Sequence, residues 1–347
     1  MEPVTHLLTG ACLGRAGFNR NAAYATLAMT LAAEAPDLDV FWGLRGPVAG
    51  LQHHRGITHT FIATPVIALV TVFVVWIIHK CRKKPPAVAP RWALLWFFCL
   101  IAALSHLLLD YTNNYGLRAF FPFDTHWYAR SIVFIIDPVI FLLLLASFIL
   151  PWIFSLADRE IGVRRTRFRG RGWSIAMLIL IVGWWSLRNA EHAHAIELVQ
   201  NGDYVNELIT RIDAEPSIID PFSWRVIAET KDYYQVIEVQ TLHNQVASDS
   251  AETIYKPEVT PAVAAAKQSY LGRVYLDWSQ FPLTTDIGNA PAPGASPPQR
   301  GWHTVHFQDL RFDRVPGSGS RDVLAGWVYI GPGNQVEAMY MNGREQK

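Results

Sequence analysis

Thr60-Phe-Ile-Ala-Thr-Pro-Val-Ile-Ala-Leu-Val-Thr-Val-Phe-Val-Val-Trp-Ile-Ile78 is 19 residues long and carries no charge. About 20 apolar residues in a helix cross the hydrocarbon layer of a bilayer, so this stretch reads as a membrane-spanning helix. Three further runs follow. Trp92 to Leu109 is 18 residues with only His106 ionisable, Ser131 to Ala157 is 27 with only Asp137, and Gly172 to Leu187 is 16 with none. Two shorter apolar segments, Val4–Leu13 and Ala22–Ala33, precede them and predict a short helical pair joined by Arg15-Ala-Gly-Phe-Asn-Arg20. Buried core helices of a soluble protein are the competing reading, but the basic clusters between the runs argue against it.

Those clusters orient the chain. Lys80, Arg82, Lys83, Lys84 and Arg91 lie between the first and second long runs; Arg159, Arg164, Arg165, Arg167, Arg169 and Arg171 lie between the third and fourth. Loops rich in Lys and Arg stay in the cytoplasm. The 110–130 connection and everything after Leu187 are therefore expected outside. The Arg-bearing tip of the N-terminal pair points inward or lies at the outer interface; the residues do not choose. Met1 to Gly14 contains His6 and lacks a basic leader and a cleavage site, so no signal peptide is expected.

Composition agrees with two environments. Of 347 residues, 51% are hydrophobic and only 17% charged, against about a quarter charged in soluble domains. Residues 1–195 carry a net +8 and residues 196–347 a net −7. The absence of a Lys/Arg-rich domain argues against nucleic acid as a partner. Three cysteines (Cys12, Cys81, Cys99) without C-x-x-C spacing exclude a disulfide scaffold and a thiolate zinc site.

Ionisable residues at the ends of membrane helices are costly and mark function. Here they recur at one level. His6 opens the first segment, Asp37 and Asp39 follow the second in Pro36-Asp-Leu-Asp39, and His54 and His59 precede the first long helix in His53-His-Arg-Gly-Ile-Thr-His59. His106 and Asp110, four apart, share one face at the end of the second long helix. Imidazoles and carboxylates converging at one depth are the donors of a divalent cation. Without thiolates they suit Zn2+, with Mn2+ or Fe2+ as alternatives, and their number admits one ion or two. Each piece alone has a plainer reading: a His/Asp helix pair is usually a hydrogen bond, an Asp-x-Asp a solvated turn, His53 a bystander, Thr58 a helix cap. Arg55 beside such a centre is suited to an anionic oxygen, and Gly56 to close backbone approach or positive φ. Asp137-Pro138, placed inside the third long helix, is left as a partner for a ligating His or for Arg130.

Thr5-His6, Pro36-Asp-Leu-Asp39, His54-Arg-Gly-Ile-Thr-His59 and Ser105-His-Leu-Leu-Leu-Asp110 together resemble the YdjM-like family of bacterial inner-membrane proteins, named as metal-dependent hydrolases. The likeness continues through Asn114-Tyr-Gly116, Pro122-Phe123 and Asp220-Pro-Phe-Ser-Trp-Arg225. It implies the bacterial inner membrane and metal ligation by His6, Asp37, Asp39, His54, His59, His106 and Asp110. A looser similarity to zinc-dependent phospholipase C and P1-type nucleases lacks their terminal tryptophan ligand and spacings.

Beyond the fourth run, Asn189 to about Ile212 reads as helix, with His192 and His194 at an exposed helix start. Trp224–Glu229, Tyr233–Gln240, Arg273–Trp278, Thr304–Gln308 and Gly326–Ile330 read as strands, and Gly317-Ser-Gly-Ser320 as a loop. The expected fold is α+β: a polytopic membrane helical domain over 1–190, a helical connector over 191–222 and an extracytoplasmic, mainly antiparallel β domain over 223–347. Arg225 reaches the metal site from above or pairs within its own sheet.

The function expected is metal-dependent hydrolysis of an ester, phosphoester or similar bond, with lipid, phosphoester, peptide and glycan substrates all open, Asp39 as general base and Arg55 stabilising negative charge. A metal or proton transport path and a structural metal clasp are the rivals. Transport sites favour the bilayer midplane rather than helix ends.

Overall fold

The computed structural model describes residues 1–160, 170–313 and 324–346, the side chains of 157–160 and Ser250 excepted. The side chain of Arg159, all of Arg164, Arg165, Arg167 and Arg169, and the Gly317–Ser320 segment lie outside this description.

The N-terminal pair is a tight hairpin of α1 (Pro3–Arg15) and α2 (Ala25–Glu34). A Cβ on Gly10 would stand 2.4 Å from the Met29 carbonyl oxygen, and one on Gly14 would stand 2.5 Å from Thr26 Cα. Small residues four apart thus let the two backbones touch, as they do where membrane helices pack. Ala25, Ala28, Met29, Ala32 and Ala33 are buried at the spacing of one helix face. A short helix α3 (Pro47–His53) follows, then α4 (Ala63–Cys81) and α5 (Trp92–Thr112). The hairpin is wedged between this pair and a second one, α6 (Pro138–Glu160) and α7 (Arg171–Gln200). Among the described residues, four helices, Ala63–Cys81, Trp92–Thr112, Pro138–Leu156 and Arg171–Gln200, are long and apolar enough to cross a membrane.

The hairpin tip lies at the end of the bundle that holds the basic links. Arg171 Nε donates to Ala16 O at 3.1 Å and Ala23 N to Ala89 O at 3.2 Å. Its open end therefore carries His6 and Asp37 to the level of His106 and Asp110.

The third long helix starts later than the apolar run does. Asp137 accepts from Ile140 N at 2.9 Å and from Trp184 Nε1 at 3.2 Å, with Pro138 first in the helix. It caps α6 rather than partnering a histidine or Arg130, because proline at the first helical turn and an acceptor before it are start signals.

The α7 helix leaves the bundle and ends at Gln200, and Arg211–Pro216, expected in part as helix, is strand β1. It pairs antiparallel with β2 (Ser223–Glu229), and β2 with β3 (Tyr233–Gln240). Strands β4 (Gln245–Val246) and β5 (Glu252–Tyr255) pair with opposite ends of β3. Helices α8 (Pro261–Gln268) and α9 (Tyr270–Trp278) come next. They precede the second antiparallel sheet, ordered β10-β9-β8-β7-β6 from β6 (Pro282–Asp286), β7 (His303–Asp309), β8 (Gly326–Ile330), β9 (Val336–Met341) and β10 (Arg344–Gln346). Arg273–Trp278, expected as a strand, is thus helical. Leu271, Val274, Tyr275 and Trp278 are buried at helical spacing, and Ser269 caps the helix by accepting from Gly272 N.

The two units share a core. Val48, Leu51, Tyr115 and Trp127 of the membrane unit pack with Val263, Leu271, Trp278 and Phe307 of the second. On the other side α7 buries Ala195 and Val199 against Trp224 and Ile237, and His192, expected exposed, is buried 2.8 Å from Asp213 Oδ1. Arg225 stays within its own unit, on Asp313 and the Leu310 carbonyl.

Candidate metal centre

Four elements deliver the polar groups. α1 brings His6, the 3-10 segment Ala35–Arg45 brings Asp37 and Asp39, the 54–59 turn brings His54, Arg55 and His59, and α5 brings His106 and Asp110. Asp37, His59, His106 and Asp110 each place one ligand atom within 4.8 Å of the others, and all four are buried. His59 Nε2 lies 3.2 Å from Asp37 Oδ1 and 3.3 Å from Asp110 Oδ2. His106 Nε2 lies 3.3 Å from the same Asp110 oxygen. His6 flanks this group, its ring stacked on His106 at 3.7 Å and its Nε2 at 3.4 Å from Asp110 Oδ1.

The other ring nitrogens determine which way the histidines face. His106 Nδ1 is 2.6 Å from the Ala33 carbonyl, an acceptor only, so Nδ1 carries the proton. His59 Nδ1 is 3.2 Å from Asp39 Oδ2, which fixes the same tautomer. Both lone pairs then sit on Nε2, and the two Nε2 atoms are 2.9 Å apart. Facing nitrogens at this distance need a positive charge between them, either a proton on one Nε2 or a cation bound by both. Among the described residues, no hydrogen-bond donor is matched to the fully buried Asp110 Oδ2. Orphaned oxygen and facing nitrogens both fit a divalent metal ion.

Asp39 holds the surroundings together. Its Oδ1 accepts from His54 Nδ1 at 2.9 Å, and its Oδ2 from Arg55 N at 2.8 Å and Thr58 Oγ1 at 2.9 Å. Thr58, read as a cap, is part of this network. Asp37, Asp39 and His54 form a second group of ligand atoms within 4.8 Å of one another, with Asp37 common to both groups. His53 stacks on Trp42 at 4.1 Å, outside the centre.

Arg55 is buried, and its guanidinium bonds Asp110 Oδ1 at 2.9 Å and Asn113 Oδ1 and Gly116 O at 3.1 Å. It takes the positive φ, 55°, that Gly56 was expected to need. Gly56 instead meets the other expectation, close approach: a Cβ there would stand 2.9 Å from His53 O. Asn113 and the Ala33 carbonyl were not legible beforehand. Asn113 belongs to no pattern, and a backbone oxygen has no sequence signature.

Charge shapes the acids and His59. Burial opposes ionisation of Asp37, but the hydrogen bond to His59, with His106 and His6 close by, holds its carboxyl below the usual range. Asp39 is lowered likewise, against burial, by His54 and His59. Burial also opposes protonation of His59, yet Asp110, Asp37 and Asp39 raise it to about 10. Free of metal, this histidine is a cation at neutral pH.

Comparison with known proteins converges on the same segment. The model of the YdjM inner membrane protein family matches residues 1–194, which include every residue of the centre. "Uncharacterized protein YfhP" of Bacillus subtilis (strain 168) is 26% identical over 291 residues, 80% of each chain. No solved structure matches. With four membrane-spanning helices and more than half its length matched, the chain is a multi-pass protein that belongs to the YdjM inner membrane protein family.

Proposed function

We propose that this chain is a membrane-bound metal-dependent hydrolase of an ester or phosphoester bond. The observation that carries the reading is the pair of Nε2 atoms of His59 and His106, 2.9 Å apart among Asp37 and Asp110 carboxylates. These four residues and His6 would hold the ion, with Zn2+ preferred over Mn2+ and Fe2+ for a mixed nitrogen and oxygen set. A bound divalent cation lowers the pKa of water and polarises the bond to be cleaved.

The chain's own groups do the rest. Asp39, expected as the base, has both oxygens engaged. It orients His54, whose Nδ1 it binds, and His54 Nε2 becomes the proton acceptor. Asp39 is then a positioning residue. Arg55 neutralises Asp110, and its buried Nε, without an acceptor, is the donor left for an anionic oxygen. This end of the bundle and the β unit would lie on the extracytoplasmic side, a reading supported by the preference of Lys/Arg-rich links for the cytoplasm.

Metal analysis of the purified protein beside His59→Ala and His106→Ala tests the proposal. One zinc per chain, lost in both variants, supports it and opens a screen of ester and phosphoester substrates. Two per chain would move Asp39 and His54 to a second ion. No metal after reconstitution with zinc, manganese or iron removes the hydrolase reading.

A further inference from the structure

The 3-10 segment Ala35–Arg45, lying between α2 and α3, has two unlike faces. Pro36, Asp37 and Asp39 are buried. Leu38, Val40, Phe41 and Leu44 are exposed by 59, 63, 62 and 85%. Four large apolar side chains exposed within seven residues make the kind of patch that marks contact with protein or membrane. Its position chooses between them. The segment packs against α4 and α5, and its apolar surface continues into exposed Ile57, Phe61 and Ile62 at the entry of α4. The hydrocarbon that covers α4 is therefore the neighbour of this strap. Trp42 suits the headgroup level, where tryptophan gathers. Arg45 lies over the Trp42 ring at 4.6 Å, and His53 stacks on the same ring.

The strap also borders the open edge of the centre. The His54 side chain is 31% exposed and that of Asp37 10%, while His6, His59, His106 and Asp110 are sealed. We infer that Ala35–Arg45 lies in the bilayer surface with Leu38, Val40, Phe41 and Leu44 among acyl chains. The centre it carries is thereby served by membrane amphiphiles of phospholipid chemistry, the phosphate toward Arg45 and the His54 edge. The substrate half of this inference rests on the hydrolase reading; the placement of the strap does not.

The test uses spin labels on the full chain in vesicles of phosphatidylethanolamine and phosphatidylglycerol. Cys81, the exposed cysteine, is first changed to serine; Cys12 and Cys99 are buried. Labels are placed at Phe41→Cys and Leu44→Cys. Lipid-facing Ile179→Cys on α7 and Ile219→Cys on the β unit serve as references, both sites being exposed. The oxygen-to-nickel accessibility ratio at 41 and 44 is expected near that of 179 and several-fold above that of 219. Values matching 219 overturn the placement. In a second arm, the triple variant Leu38→Ser, Phe41→Ser, Leu44→Ser keeps its metal but loses about tenfold or more of its turnover of vesicle phospholipid, since buried apolar side chains set interfacial affinity. Its turnover of soluble dihexanoyl phospholipid is unchanged. Equal turnover of both lipids by wild type and variant overturns the substrate half. Acyl-level labels in a metal-loaded protein that cleaves neither lipid would leave the strap in place and overturn the substrate half, whereas absence of bound metal would remove the hydrolase reading.

Discussion

At the scale of single residues, the centre depends on groups that would not touch an ion. Asp39 orients His54 and His59 at once. Loss of such an outer carboxylate typically lowers metal affinity about 10- to 100-fold. Asp39→Asn is expected to show a drop of that size in a zinc titration, with the fold intact by circular dichroism. Arg55 works differently. In the metal-free protein its guanidinium is bound to Asp110 deep in the bundle, and removing one member of a buried ion pair costs about 3–5 kcal/mol. Arg55→Ala should lower the thermal midpoint of metal-free protein accordingly. Arg55→Lys should recover only part, because a single ammonium cannot reproduce a fork that also serves Asn113 and Gly116.

At the scale of elements, the hairpin of α1 and α2 is the piece most sensitive to size. Gly10 has the Met29 carbonyl where a Cβ would go, and overpacking costs about 1–3 kcal/mol. Gly10→Val should destabilise by at least that much and reduce bound metal as well, since His6 is one helical turn away on the same element. Ser269→Ala removes the cap of α9 and should cost about 1 kcal/mol, with the metal content unchanged. The contrast between these two variants separates the elements that build the centre from those that build the β unit.

At the scale of the molecule, the two units meet through buried polar groups. Glu215 of β1 accepts from Asn114 Nδ2 at 2.8 Å, and Arg311 donates to the Asn114 carbonyl. Asn114 stands four residues beyond Asp110, so this joint braces the end of α5. Burial, with Asp213 adding to it, lifts the Glu215 carboxyl to about 8. The folded chain then keeps a proton that the unfolded chain releases above about 4.5. Stability from this group is therefore full below that pH, falls as pH rises through the window, and levels off above about 8. Glu215→Gln should raise the melting temperature at pH 8.5 relative to wild type and change it little at pH 5. Thermal scans at the two pH values check the sign.

The sequence by itself determined the membrane spans, the four polar blocks and their common level, and four of the strands. These are short-range properties: the length of an apolar run, the charge of a loop, alternation over a few residues. It misread α9, although Leu271, Val274, Tyr275 and Trp278 carry a helical period, because aromatic and β-branched composition there also fits a strand. The start of α6 was displaced for a related reason, apolar residues continuing past the cap at Asp137. Only the tertiary structure decided that the hairpin is inserted between two helix pairs, that Asp39 spends both oxygens on its neighbours, and that Ala33 O and Asn113 belong to the site. Those facts depend on contacts between residues 15 to 162 positions apart. No local pattern records which side chain will meet which backbone oxygen once the helices have packed.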